Sequence, residues 1–224
     1  MRPGSSALCI PAWFASIAYK DGFRFPRHLH VFQRECMNML INSMINRLIV
    51  QVPVRHGKSR WFSQIFVAWY ACTHPANKVL LATGSEDLRK EFSAEVVRLV
   101  RLMSPLYGLT IDPKWDRNDS FRFLEHLGGF DSVTAGGSIL GRGYHLIVAD
   151  DLYPKEETGR SPAQRRNVSY WFNFDLMTRL EPGCKVILVM SRQHLDDISG
   201  ECQATNKELP PELTWRIILS LIHI

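Results

Sequence analysis

The stretch RLIVQVPVRHGKSRW, residues 47–61, constrains the fold most: an apolar run of strand character, a turn ending in Gly57-Lys58-Ser59, then apolar residues at helical spacing. A strand that feeds such a turn and a helix makes a phosphate loop. Backbone N–H groups of the loop and the positive end of the helix surround a β-phosphate, Lys58 reaches the β/γ-oxygens, and Ser59 ligates Mg²⁺. Gly57 lets the backbone approach without a Cβ in the way. The usual pattern is G-x-x-x-x-G-K-[ST], and Val52 stands where its first glycine would be. The triplet alone also fits a helix N-terminus that follows a strand, so the rest of the chain has to decide.

Downstream, residues 58–73 read as a helix whose Trp61, Phe62, Ile65, Phe66 and Trp69 form a broad core face. KVLLAT, residues 78–83, is a buried strand. Ser85 follows as an N-cap, with Glu86 and Asp87 in the first turn of a helix that runs to about Met103. Short strands are expected near residues 120–127 and 130–134. HLIVA then ends in two carboxylates, Asp150 and Asp151, the shape of a Walker B element. In an open parallel sheet ligands sit at the carboxyl ends of strands, where Asp150 and Lys58 would converge. Asp150 would hold the Mg²⁺ shell, and Asp151 stands where many ATPases have a Glu that orients the attacking water. A pair of Asp residues after an apolar run is by itself also a common strand-ending turn.

Ser161 and Pro162 start another helix, with Pro182-Gly183 expected to close it, and residues 185–190 give a further strand that ends at Ser191-Arg192. A polar residue at that tip can sense a γ-phosphate if its strand lies beside the one bearing Asp150. Upstream, residues 28–44 read as a helix carrying Gln33, whose amide can read an adenine edge or simply face solvent. The alternation of strands and helices implies a parallel sheet covered on both faces.

With 224 residues the chain holds one sizeable α/β domain. A net charge of +5 and a pI near 9.0 suit a polyanionic partner, and also suit proteins that touch no nucleic acid. The 5 cysteines form no CxxC and indicate neither a zinc site nor a disulfide framework, which fits a reducing cytosol. No apolar run reaches the roughly 18 residues of a membrane span. The weakly apolar opening, interrupted by Pro11, is not read as a signal peptide.

The runs RLIVQVPVRHGKS, TGSEDLRKEFSAEVVRLV, GRGYHLIVADDLY, SPAQRRNVSYW and TRLEPGCKVILVMSRQHLDDISG, in this order, resemble the ATPase domain of the large terminase subunit of tailed bacteriophages over about residues 28–202. The resemblance implies an α/β fold of the ASCE type of P-loop NTPase, a mostly parallel sheet flanked by helices. It implies an ATP- and Mg²⁺-dependent motor that drives double-stranded DNA into the prohead from the cytoplasm of the infected host. The implied partners are the portal protein, the small terminase subunit and further copies of the chain in a ring, with no membrane. By motif, Pro53, Val54, Arg55, His56, Gly57, Lys58 and Ser59 are the variant nucleotide loop, in which Arg55 could contact phosphate. Asp150 and Asp151 match Walker B, Ser191 the coupling motif, and Gln33 the adenine reader. Arg142 matches the arginine that some members insert into a neighbour's site, although a structural arginine in a glycine turn fits the residues as well. The competing readings are a helicase-like P-loop ATPase, a small-molecule kinase, and a non-hydrolysing nucleotide- or DNA-binding module.

The expected division is an N-terminal extension over residues 1–27, the ATPase domain over 28–218 and a tail over 219–224. A family member usually carries a C-terminal nuclease domain, for which the residues after Gly200 leave no room. LSLIHI, residues 219–224, also equals the frame translation of CTGTCTCTTATACACATC, a transposon end ligated during sequencing-library preparation. The tail is therefore expected to be artefactual, with the natural reading frame departing near Ile218.

Overall fold

The structure, a computed structural model, describes residues 15, 27–41, 44–53, 56–139, 141–153 and 161–219. Among these residues the frame is one seven-stranded sheet. In chain order the strands are β1 (Arg47–Gln51), β2 (Lys78–Thr83), β3 (Phe121–Arg122), β4 (Gly129–Thr134), β5 (Tyr144–Asp150), β6 (Leu180–Met190) and β7 (Trp215–Leu219). Their spatial order is β3-β4-β2-β5-β6-β1-β7, and every neighbouring pair is parallel except the β3–β4 pair. Parallel neighbours need crossover connections, and helices supply them. The helices are α1 (Arg27–Ile41), α2 (a π-helical segment Arg60–Phe66 continued by Val67–Thr73), α3 (Glu86–Met103), α4 (Pro162–Tyr170, continued by a π-helical segment Trp171–Leu176) and α5 (Ile198–Ala204).

Strand periodicity splits the core into two layers. Leu48 and Val50, Val79 and Leu81, Leu146 and Val148, and Ile187 and Val189 face the helices α1, α2 and α3, where Met39, Trp61, Phe66, Val96 and Val100 are buried. The alternate residues Ile49, Leu80, Ile147 and Leu188 face α4 and α5, against Trp171, Phe172 and Ile198. Both faces being covered explains why these strands read as continuous apolar runs.

The local signals act as expected at α3 and α4. Ser85 caps α3 by accepting from Leu88 N at 3.3 Å, and Ser161 accepts from Gln164 N at 3.5 Å with Pro162 in the first turn of α4. Pro182-Gly183 does not close that helix. The helical run ends at Arg179 and β6 begins at Leu180, where pairing with β5 shifts register between Tyr144↔Leu180 and Leu146↔Lys185. A bulge accommodates a proline without an N–H and a glycine at φ 75°, so the pair interrupts a ladder instead of ending a helix. Residues 220–224, with all but the first residue of the proposed tail, lie outside the described residues, as does nearly all of the 1–27 extension. Leu219 pairs with Gln51 as the last residue of β7. Among the described residues no helix is long and apolar enough to cross a membrane.

Candidate nucleotide site

Strand order builds the site. With β6 between β1 and β5, the carboxyl ends of three adjacent parallel strands deliver the Gly57-Lys58-Ser59 turn, the Asp150-Asp151 pair and Ser191 to one edge of the sheet. Gly57 takes a positive φ of 74° and its carbonyl accepts from Trp61 N at 2.9 Å, so the turn passes directly into the first helical turn.

Lys58 is the hub. Its ammonium donates to both carboxylate oxygens of Asp151 at 2.9 Å and to Ser191 Oγ at 2.9 Å. Ser191 N–H donates to Asp151 Oδ1 at 3.1 Å, and the Ser191 hydroxyl donates to the carbonyl of Val52 at 3.5 Å, tying the strand tip to the loop. The lysine side chain is only 5% exposed, whereas that of Asp151 is 28% exposed and open to a small reactant. Asp151 itself sits in the left-handed region at φ 42°.

Asp150 is wholly buried beneath this triad. Ser63, also buried, donates its hydroxyl to Asp150 Oδ2 at 2.5 Å, while Asp150 Oδ1 is without a hydrogen-bond partner. Burial first and the adjacent Asp151 charge second push the Asp150 carboxyl up to about 7, while Ser63, the Lys58 charge and Ser59 pull it back. An unsatisfied carboxylate oxygen beside a serine hydroxyl is the hard-oxygen donor set that Mg²⁺ takes. Among the described residues no cluster of three His, Cys, Asp or Glu could hold a metal.

The remaining sequence candidates are placed less closely. Pro53 and His56 are half-buried beside the loop, whereas Val54 and Arg55 lie outside the described residues. Gln33 is half-buried on α1. Arg142 stands before β5, at the end of the strand opposite Asp150, and its guanidinium meets Asp131 Oδ1 at 3.3 Å. Two residues escape the sequence reading. Ser63 looks like any polar position in a helix. Gly84, at the end of β2, has no room for a side chain: a Cβ there would lie 2.2 Å from the Asp151 carbonyl oxygen.

The large terminase of bacteriophage HK97 matches this chain with a TM-score of 0.56 and 12% identity, covering 97% of this chain and 44% of that one. The fold is that of part of a phage large terminase. Large terminase from a thermophilic bacteriophage matches at a TM-score of 0.47 and 13% identity over 77% of this chain and 40% of that one. The same thermophilic phage protein in complex with ADP matches at 0.46 and 14%, over 93% and 47%. The chain therefore spans less than half the length of these terminases. No protein-family model matches the sequence, and no curated protein matches it.

Proposed function

We propose that this chain is the ATP-hydrolysing motor domain of a phage terminase large subunit, which drives double-stranded DNA into a prohead. The observation that carries the reading is the convergence of Lys58, Asp151 and Ser191 over the buried Asp150 at the ends of β1, β5 and β6. Lys58 exchanges the Asp151 carboxylate for the β/γ-phosphate oxygens of ATP, where its charge stabilises the transferring phosphoryl group. Asp151, released and already partly exposed, then orients the attacking water and accepts its proton. Asp150 and Ser59 would hold Mg²⁺, which would supply neutralisation of the developing phosphate charge.

Ser191 is the coupling element in this reading. It is bonded to both Lys58 and Asp151, so their parting changes its partners. The segment after it is anchored by Asp197, which accepts from Gln193 N at 2.9 Å and His194 N at 3.2 Å while capping α5 through Gly200 N at 3.0 Å. Movement at Ser191 thus reaches α5 through a short tethered loop. Gln33 reads the adenine edge, with the loop residues Pro53, Val54, Arg55, His56 and Gly57 around the phosphates. The partners are double-stranded DNA, the portal protein, the small terminase subunit and further copies of the chain in a ring, all in the host cytoplasm.

Phosphate release with and without double-stranded DNA tests the proposal. Wild-type protein should release phosphate, faster with DNA, and Lys58→Ala should lose at least about 10²-fold, because phosphoryl transfer rests on such electrostatic contacts. Wild-type turnover in Lys58→Ala ends the reading, and absence of release from the wild type favours a non-hydrolysing nucleotide-binding module.

A further inference from the structure

Away from the Lys58 site, at the β4 end of the sheet, a cavity of about 250 Å³ opens between Trp115, Arg117, Ser120, Ser138 and Arg142 over an apolar floor that includes Leu80. The guanidinium carbons of Arg117, Arg122 and Arg142 lie 5.7, 6.0 and 5.9 Å from the centroid of the Trp115 ring. These are the outer distances of a cation–π contact, so three cations gather over the indole without close packing against it. Trp115 is 41% exposed.

The charge balance is lopsided. Arg122 and Asp131 neutralise one another through paired bonds at 2.8 and 2.7 Å. Arg142 shares the same carboxylate only at 3.3 and 3.4 Å, and Tyr144 donates to it at 3.1 Å. Arg117 forms no ion pair among the described residues. Nearby Asp119 is engaged by Arg89 at 3.1 Å, so it does not answer Arg117. Two guanidiniums in excess, hydroxyl donors and a partly exposed tryptophan in one small cavity match an oxyanion joined to a flat ring. The volume suits one nucleotide unit, being below the range of drug-sized pockets.

We propose that this cavity is a second site, separate from the Lys58 loop, that binds the phosphate of a nucleotide through Arg117 and Arg142 and takes its base against Trp115. The inference does not depend on the ATPase reading. The phosphate belongs either to a free nucleotide or to a single-stranded stretch of polynucleotide, and the probes separate these sources.

The test is quenching of tryptophan fluorescence by thymidine 5′-monophosphate and by a five-residue oligothymidylate, with thymidine as the probe lacking phosphate. Trp115→Phe should abolish the response, and Arg117→Glu, an exposed substitution that leaves the core untouched, should weaken binding at least about tenfold. Lys58→Ala should leave it unchanged. Saturation by the monophosphate assigns a free nucleotide, and saturation by the oligonucleotide alone assigns a single strand. Binding that survives Arg117→Glu, binding that Lys58→Ala abolishes, equal quenching by thymidine, or no quenching by either phosphate probe overturns the proposal.

Discussion

Burial and the neighbouring Asp151 charge push Asp150 up to about 7, well above the ordinary carboxylate range. A carboxyl whose folded value lies above its unfolded one contributes stability in full below about pH 4, and loses it as the pH rises to about 7. Asp150 therefore destabilises the metal-free chain at neutral pH, by an amount on the order of a few kcal/mol. Asp150→Asn keeps the shape and removes the charge. Its melting temperature in chelator should exceed that of the wild type at pH 8 and converge with it near pH 4, while phosphate release is lost. The difference between the two melting curves isolates Asp150 from every other carboxylate, and parallel curves would refute the assignment. The residue beside it obeys a different constraint. Asp151 holds φ 42°, a region that Asp and Asn visit far more readily than Glu. Asp151→Glu restores the carboxylate length usual for a water-orienting residue, yet should cost about 1 kcal/mol in denaturant unfolding. Asp151→Asn keeps the backbone and frees Lys58 of its counter-ion. It should bind ATP more tightly in equilibrium titration while hydrolysing it at least about 10²-fold more slowly.

At the level of elements, the end of β2 and the turn after β5 fit together only because position 84 lacks a side chain. A methyl group there meets Asp151 O and the Leu152 carbonyl carbon at 2.2 and 2.7 Å, backbone atoms that cannot rotate away. Gly84→Ala should therefore shift Asp151 and reduce phosphate release at least about tenfold, with unfolding cooperative but at lower denaturant. Unchanged turnover would show that Asp151 tolerates displacement. The sequence makes some of this architecture plain and conceals the rest for physical reasons. The boundaries of β2 and α3 are legible because an apolar run meets a serine cap and an acidic first turn. The Asp150-Asp151 pair is legible because it ends such a run. The π-helical segment Arg60–Phe66 is not, since Trp61–Cys72 is buried throughout and a helix without a polar face has no amphipathic period from which to read its winding. Hence Ser63 could not be seen to reach Asp150. The bulge at Pro182-Gly183 is hidden for a related reason: the dipeptide signals a break in a hydrogen-bond ladder without saying whether the ladder is helix or sheet. Strand order is a long-range property, and only its outcome brings Ser191 between Lys58 and Asp151.

For the molecule as a whole, the position of Arg142 decides whether one chain suffices. It precedes β5, whose 7 residues separate it from Asp150 at the far end. At about 3.3 Å per residue the strand spans roughly 20 Å, well beyond the length of an arginine side chain, so Arg142 would not reach a phosphate placed at Lys58 of its own chain. Its guanidinium is 40% exposed and is held to Asp131 at 3.3 and 3.4 Å beside the Trp115 ring, so the proposed trans role requires it to leave Asp131 for a phosphate presented by another copy. An arginine supplied in this way accelerates hydrolysis by about 10³- to 10⁵-fold. Complementation follows from the separation. Arg142→Ala protein keeps its loop and lacks the donor; Lys58→Ala protein lacks the loop and keeps the donor; each should be inactive alone. Mixed at equal concentration, the Arg142→Ala copies receive Arg142 from Lys58→Ala neighbours and should regain a fraction of wild-type phosphate release that rises with the share of mixed contacts. A mixture that demonstrably assembles, by light scattering or cross-linking, yet stays as inactive as its components would rule out the trans role and leave Arg142 to Asp131 and the Trp115 cavity.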